Sequence, residues 1–166
     1  MQLLAPRGIV RGHMGEQTRI AYLLPLRLFC GWVFLNAGIG KLAAGWLTRP
    51  ELTTTLLGWL RDGKPYAFYV PFLRGVVLPH AHGFAYLVSI GELLVGAALL
   101  AGLFSRLAAL GGLVLVINVM LARGEGFSVD GTMPFVIMML TLMLTAPGRS
   151  LGVDAALRGR LPRWLA

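Results

Sequence analysis

Apolar residues are gathered into four runs along the chain, and more polar segments separate these runs. The runs cover approximately residues 20–42, 83–103, 106–122 and 132–146. A helix over either of the first two rises about 1.5 Å per residue and can cross a hydrocarbon core of about 30 Å. The last two are shorter, so we expect the arginines that flank them to extend to the interfaces. The pattern predicts an all-α integral membrane protein that forms a four-transmembrane-helix bundle.

A long amphipathic segment, residues 43–82, lies between the first two predicted helices. After Pro50, apolar residues recur at helical spacing through Leu60, and a stop signal follows at Gly63. Aromatic residues then cluster, as they do at membrane interfaces. We expect the segment to lie on the membrane surface or to fold back over the bundle as an interfacial cap. The predicted organisation is a tail over residues 1–19, a membrane domain over 20–146 that includes this cap, and a basic tail over 147–166.

The composition favours lipid as the surroundings of the chain. Charged residues make up 13% and hydrophobic residues 57%, whereas soluble domains carry about 25% charged residues. The formal net charge is +8, but the basic residues are dispersed beside apolar runs, where they would contact lipid headgroups. We therefore expect lipids and other membrane protein subunits as partners, and no nucleic acid.

Arginines are denser in the two tails than in the segments predicted to lie on the opposite side of the membrane. An even number of spans puts both tails on one side, and the positive-inside rule assigns that side to the cytoplasm. The expected location is the bacterial inner (cytoplasmic) membrane, with both termini cytoplasmic.

Glu92 is the only charged residue within the second run and lies close to its middle. A carboxylate at this depth costs about 2.5–3.5 kcal/mol on insertion scales unless it is paired or protonated. Small neighbours such as Gly96 would let another helix approach the same face closely. Two interpretations stay open, a proton or ligand site and a structural ion pair.

Arg27 and Lys41 lie near one face of the first predicted helix, with Gly31 and Gly38 between them on the same stripe. Such a face can line a narrow polar cleft against the second helix. We expect Arg27 to pair with Glu92, and Lys41 to extend to the nearby headgroups. The candidate cofactor-binding residues, in a quinone or lipid pocket, are Arg27, Lys41 and Glu92. The candidate structural residues are Arg27, Glu92, Gly31, Gly38 and Gly96.

The sequence carries no recognisable metal or nucleophile motif. His80 and His82 alone do not complete a metal site, and the single cysteine, Cys30, has no partner within the chain for a disulfide. We predict no catalytic residue, no metal site and no intrinsic cofactor, with a quinone and bound lipids as candidate ligands.

Three short motifs resemble those of DoxX/DoxD-like membrane proteins. They are Arg27…Gly31…Gly38-Ile-Gly-Lys41-Leu42, Gly91-Glu92-Leu-Leu-Val-Gly96 with Gly102-Leu-Phe-Ser-Arg106, and Gly148-Arg149-Ser-Leu151-Gly-Val-Asp154. The resemblance implies a four-helix membrane fold. For the DoxD branch it implies the small subunit of a thiosulfate:quinone oxidoreductase, with Arg27, Lys41, Glu92 and Arg106 as signature polar residues.

Two functions are consistent with this sequence. The one that the sequence favours is a packing subunit of a larger membrane assembly of the respiratory or photosynthetic electron-transfer type, not catalytic alone, because the cap and the arginine-rich tails are not part of the DoxX/DoxD-like pattern. The other is a quinone-linked oxidoreductase small subunit of DoxD type, with a quinone pocket near Arg27, Lys41 and Glu92. The second would need electrons from a partner subunit, because the sequence offers no metal or thiol pair to carry them.

Overall fold

A computed structural model describes residues 22–126, 128–149 and 151–157, and within these ranges the regular structure is helical. In this part of the chain, three helices are long and apolar enough to cross a membrane, with mean hydropathies of 1.2, 2.0 and 1.9: α1 (Leu24–Ala43), α4 (Ala81–Ala101) and α5 (Ser105–Arg123). The fourth apolar helix, α6 (Met133–Thr145), has 13 residues and packs beside α5. The predicted all-α membrane architecture is confirmed. The predicted tail 1–19 and residues 158–166 lie outside the described part of the chain.

Local sequence signals account for the ends of these helices. Pro25 and Pro134 lie in the first turns of α1 and α6, where a proline costs no backbone hydrogen bond. Gly102 and Gly124 follow α4 and α5 with φ of +65° and +69°, a left-handed conformation that glycine adopts without steric cost.

The most extensive packing joins α1 and α4, which run antiparallel and approach through glycines. A Cβ atom at Gly38 would lie 3.0 Å from the backbone nitrogen of Leu93, and one at Gly31 would lie 3.0 Å from that of Leu100. A Cβ atom at Gly96 would collide with the backbone of Leu35. Small residues of this kind let membrane helices come close enough for extensive van der Waals contact.

The core of the bundle lies between α1, α4, α5 and α6. Its buried side chains include Phe34, Leu99 and Met139, and a Cβ atom at Gly112 would lie 2.7 Å from the Met139 sulfur. Close packing therefore holds the short apolar helix α6 against α5.

The segment between α1 and α4 folds back over one end of the bundle. It contains α2 (Glu51–Asp62) and α3 (Val70–Phe72), which continues into a π-helical turn (Leu73–Val77). Leu56, on the apolar face of α2, packs with Leu73 and with Ala85 of α4. The backbone of Tyr66 donates a hydrogen bond to the Leu121 carbonyl over 3.2 Å, which ties the segment to α5. We refer to residues 43–82, whose apolar residues pack on α4 and α5, as the cap.

The glycine contact between α1 and α4 generates a prediction. Gly96→Ala should lower the free energy of unfolding by roughly 1–3 kcal/mol, because the added methyl group forces the two backbones apart. The matched control is Gly83→Ala on the same helix, where a Cβ atom meets nothing within 4 Å. Unfolding in mixed detergent micelles measures both variants. Equal stability of the two would show that the helix contact is not as close as described.

Candidate functional site

Lys41 and Glu92 form an ion pair between α1 and α4. The Lys41 ammonium donates hydrogen bonds to both carboxylate oxygens of Glu92, over 2.8 Å to Oε1 and 2.6 Å to Oε2. The two side chains are 21% and 10% exposed. The helix register produces this pair, because Gly38 packs against Leu93 and Lys41 follows Gly38 by one helical turn. The expectation that Lys41 extends to the headgroups is wrong, since its charge points into the bundle.

The predicted pair between Arg27 and Glu92 is also wrong. In the antiparallel register of α1 and α4, Arg27 lies about twelve residues, or about 18 Å, from the level of Glu92. Arg27 is 3% exposed and lies against Gly102, where a Cβ atom would be 2.6 Å from its Nη1. It donates a hydrogen bond to the Leu151 carbonyl. The two predicted cofactor-binding cations are therefore at opposite ends of α1, and the structure brings only Lys41 to Glu92.

A cavity of about 490 Å³ lies between the bundle and the cap. Its walls come from α1, the cap, α4, α5 and the start of α6, and most of its lining residues are apolar. Lys41 and Glu92 belong to this lining, together with four further polar or charged residues: Thr55, Asn118, Arg123 and Thr132. The Trp46 ring, also in the lining, lies 5.2 Å from the Lys41 ammonium, within the range of a cation–π contact. An apolar cavity with a few convergent polar groups is typical of a small-molecule site.

Polar residues after α5 lie at the cap-side rim of the cavity. Arg123 forms an ion pair with Glu125 over 2.7 Å, and the Thr132 backbone donates to the Glu125 carboxylate over 2.6 Å. Burial acts to raise the pKa of Glu125, but the hydrogen bonds from Thr132 and the charge of Arg123 outweigh it, so the pKa lies below its ordinary value. These contacts hold Thr132 and Arg123 at the rim.

Comparison with known protein families shows which family the chain belongs to. The DoxX family model matches residues 22–123, which include α1, the cap, α4 and α5. This chain belongs to the DoxX family. No solved structure matches it. The matched range contains both members of the Lys41–Glu92 pair and all of the cavity lining except Thr132 and Phe135.

In this DoxX protein, a second polar cluster lies at the end of the bundle away from the cap. The Asp154 carboxylate accepts hydrogen bonds from the backbone of Phe104 over 2.7 Å and of Ser105 over 2.9 Å, so it caps the N-terminus of α5. The hydroxyl of Ser105 accepts a hydrogen bond from the Gly148 backbone over 3.2 Å. We call Arg27, Ser105, Gly148 and Asp154 the clasp, because they tie the turn after α6 to α1 and α5.

Asp154 belongs to the third sequence motif, which does not by itself indicate a role for it. Its signal was the Gly148…Asp154 spacing at the end of the last apolar run, but nothing local indicates which helix it caps. Arg106 also acts here, since its Nε donates to the Met143 carbonyl over 3.1 Å at the C-terminal end of α6. The clasp polar groups lie away from the cavity, so we assign them a structural role.

The predicted absence of a protein-held metal remains a prediction. Among the described residues no group of three or more His, Cys, Asp and Glu side chains lies close enough together to hold a metal ion. His80 makes a hydrogen-bond contact with the Val76 carbonyl over 3.0 Å, and the His82 ring packs edge-on against Tyr86.

The Lys41–Glu92 pair can be tested by a double-mutant cycle. Lys41→Met or Glu92→Gln alone should each cost about 3–5 kcal/mol of stability, because each change leaves a buried group of the pair without its partner. The combination of both changes should recover most of that loss. Asp62→Asn, which breaks an ion pair whose side chains are 80% and 64% exposed, should have no measurable effect. Additive losses in the cycle would contradict a direct pair.

The clasp predicts a separate effect on the chain end. Asp154→Ala should lower the free energy of unfolding by about 1–2 kcal/mol, because it removes the carboxylate that accepts hydrogen bonds at the N-terminus of α5. It should also make residues 147–157 more accessible to protease, because the turn then keeps only the hydrogen bonds of Arg27 and Ser105 and the backbone bond from residue 154 to the Gly102 carbonyl. Asp130→Ala, at an exposed loop position, is the control. Unchanged protease resistance in Asp154→Ala would show that the clasp does not hold this turn.

Proposed function

We propose that this DoxX protein is the quinone-binding membrane subunit of a larger redox assembly, with the quinone head held in the cavity at Lys41 and Glu92. One observation carries the proposal. The polar pair lies in the wall of a largely apolar cavity of about 490 Å³, within α1 and α4, both of which can span a membrane. An ion pair with only a structural role does not need a cavity beside it.

The residues present suit a quinone. A quinone head is a flat ring with carbonyl oxygens that accept hydrogen bonds, and it carries an apolar chain. The Lys41 ammonium is a donor with three N–H groups, two of which point at Glu92. The third can donate to a carbonyl oxygen at the cavity wall, and Trp46 with the aliphatic lining can contact the ring.

A bound quinone would take up two electrons and two protons to become a quinol. The Lys41 ammonium would supply one of the two protons to the nearer quinone oxygen and would be reprotonated from water, which restores the charge pair with Glu92. The second proton would come from water at the other oxygen. The electrons would come from a partner oxidoreductase subunit, as the DoxD resemblance implies. We place the assembly in the bacterial inner membrane with both termini of this chain in the cytoplasm, which the arginine distribution supports.

Quinone binding can be followed by quenching of tryptophan fluorescence, since Trp46 and Trp59 line the cavity. A dimethoxy-methyl-benzoquinone with a decyl chain should quench the tryptophan fluorescence of the purified protein in nanodiscs. The quenching should saturate as the quinone concentration rises. The double variant Lys41→Met with Glu92→Gln keeps the pair neutral and should bind the quinone roughly tenfold to a hundredfold more weakly, the worth of a hydrogen bond to a charged group. Lys64→Met is the matched control, because this exposed cap lysine does not line the cavity.

Two outcomes would contradict the proposal. Unchanged saturable quenching in the double variant would place the quinone elsewhere. Absence of saturable quenching in the wild-type protein, with partner chains still co-purifying in mass spectrometry, would support the packing subunit instead.

A further inference from the structure

The cavity reaches the outer surface of the bundle between α4 and α5. Leu87 of α4 and Val114 of α5 both line the cavity, yet they are 63% and 51% exposed. A residue that lines a cavity and faces outward marks an opening. These two residues lie on neighbouring helices, so the opening is a groove between α4 and α5.

The structure bounds this groove at both ends. Toward the clasp, α4 and α5 are in contact, since a Cβ atom at Gly111 would lie 3.3 Å from a Val95 methyl group. Toward the cap, the Tyr69 hydroxyl donates a hydrogen bond to the Asn118 side chain. Between these limits Gly91 has no side chain and a Leu115 methyl group lies 3.6 Å from the place of its missing Cβ atom, so Leu87 and Val114 edge a narrow gap beside Gly91.

The depth of the groove decides what it faces. Leu87 lies six residues from the start of α4, or about 9 Å along the helix, and Val114 lies nine residues, or about 14 Å, from the end of α5. Both helices are long and apolar enough to span a membrane. At these depths the groove faces hydrocarbon chains and not the headgroups or water.

We infer that the ligand enters the cavity sideways from the lipid, through the groove at Leu87 and Val114, and that its apolar chain remains in this groove. The inference rests on the proposed function, because it takes the cavity to be a quinone site. It adds a specificity rule, since Lys41 and Glu92 hold the polar head while Leu87 and Val114 contact the chain. The ligand class is therefore a chain-bearing, membrane-dissolved molecule and not a water-soluble ring.

Two probes separate the head from the chain: a dimethoxy-methyl-benzoquinone ring, and the same ring with a decyl chain. Retention of each probe on purified full-length protein in phosphatidylcholine nanodiscs gives its Kd, after subtraction of empty nanodiscs. Wild-type protein should bind the decyl probe more tightly than the ring. Leu87→Trp and Val114→Trp fill the groove and should raise the Kd of the decyl probe by about tenfold, which corresponds to the loss of a few methylene contacts. The Kd of the ring should change little.

Two outward-facing positions on α6 provide matched controls. Leu144 and Ile137 of α6 are 64% and 55% exposed and do not line the cavity. Leu144→Trp and Ile137→Trp should therefore bind both probes like the wild type. Since all four positions face outward, the substitutions add no bulk to the core.

The results distinguish this inference from the proposed function. If the decyl probe binds all four tryptophan variants equally, and both probes still depend on Lys41 and Glu92, the quinone site stands and the lateral route is wrong. A loss of both probes in the groove variants would also overturn the inference, because the groove would then act on the whole cavity. If neither probe binds the wild-type protein, the proposed function itself fails.

Discussion

The close antiparallel contact between α1 and α4 is the constraint on which the rest of this structure depends. In lipid, apolar surfaces gain little by leaving the solvent, so the two helices are held by van der Waals packing at short range. Gly31, Gly38 and Gly96 allow the backbones to approach, and a methyl group at any of these positions would meet the facing helix. Because interlocking surfaces do not slide, this contact fixes which residues of the two helices are level with one another.

The register explains why the polar residues of the bundle form two separate groups. Lys41 is level with Glu92 at the cap end, and Arg27 is level with the turn after α4 at the other end. At the clasp, the buried Arg27 guanidinium donates to the Leu151 carbonyl and packs against Gly102, and Asp154 accepts hydrogen bonds at the start of α5. At the cap end, the ion pair faces a cavity. Both groups offset the cost of charge inside a membrane, but only one leaves room for a ligand.

The cap gives the cavity its remaining walls. Its apolar face packs on the ends of α4 and α5, and Trp46 and Trp59 contribute large rings to the lining. The aromatic residues of the predicted interfacial cluster therefore have two kinds of surroundings, since some face outward and others contact the bundle. Phe68 is 70% exposed, whereas Tyr69 hydrogen-bonds to Asn118 of α5. An amphipathic segment of this kind can enclose an apolar site because one face is satisfied by protein and the other by the interface.

The sequence by itself determined the helical membrane architecture, the family, and the residues around which a site could form. Hydrophobic runs report whether a helix can reside in lipid, and Glu92 is conspicuous because a carboxylate there needs a partner. Only the tertiary structure decided that this partner is Lys41 and not Arg27, that Asp154 caps α5, and that a cavity adjoins the pair. Helical spacing indicates which residues share a face, but the depth at which two faces meet depends on interhelical packing. That packing is set by contacts far apart in the chain, such as Gly38 with Leu93 and Gly96 with Leu35.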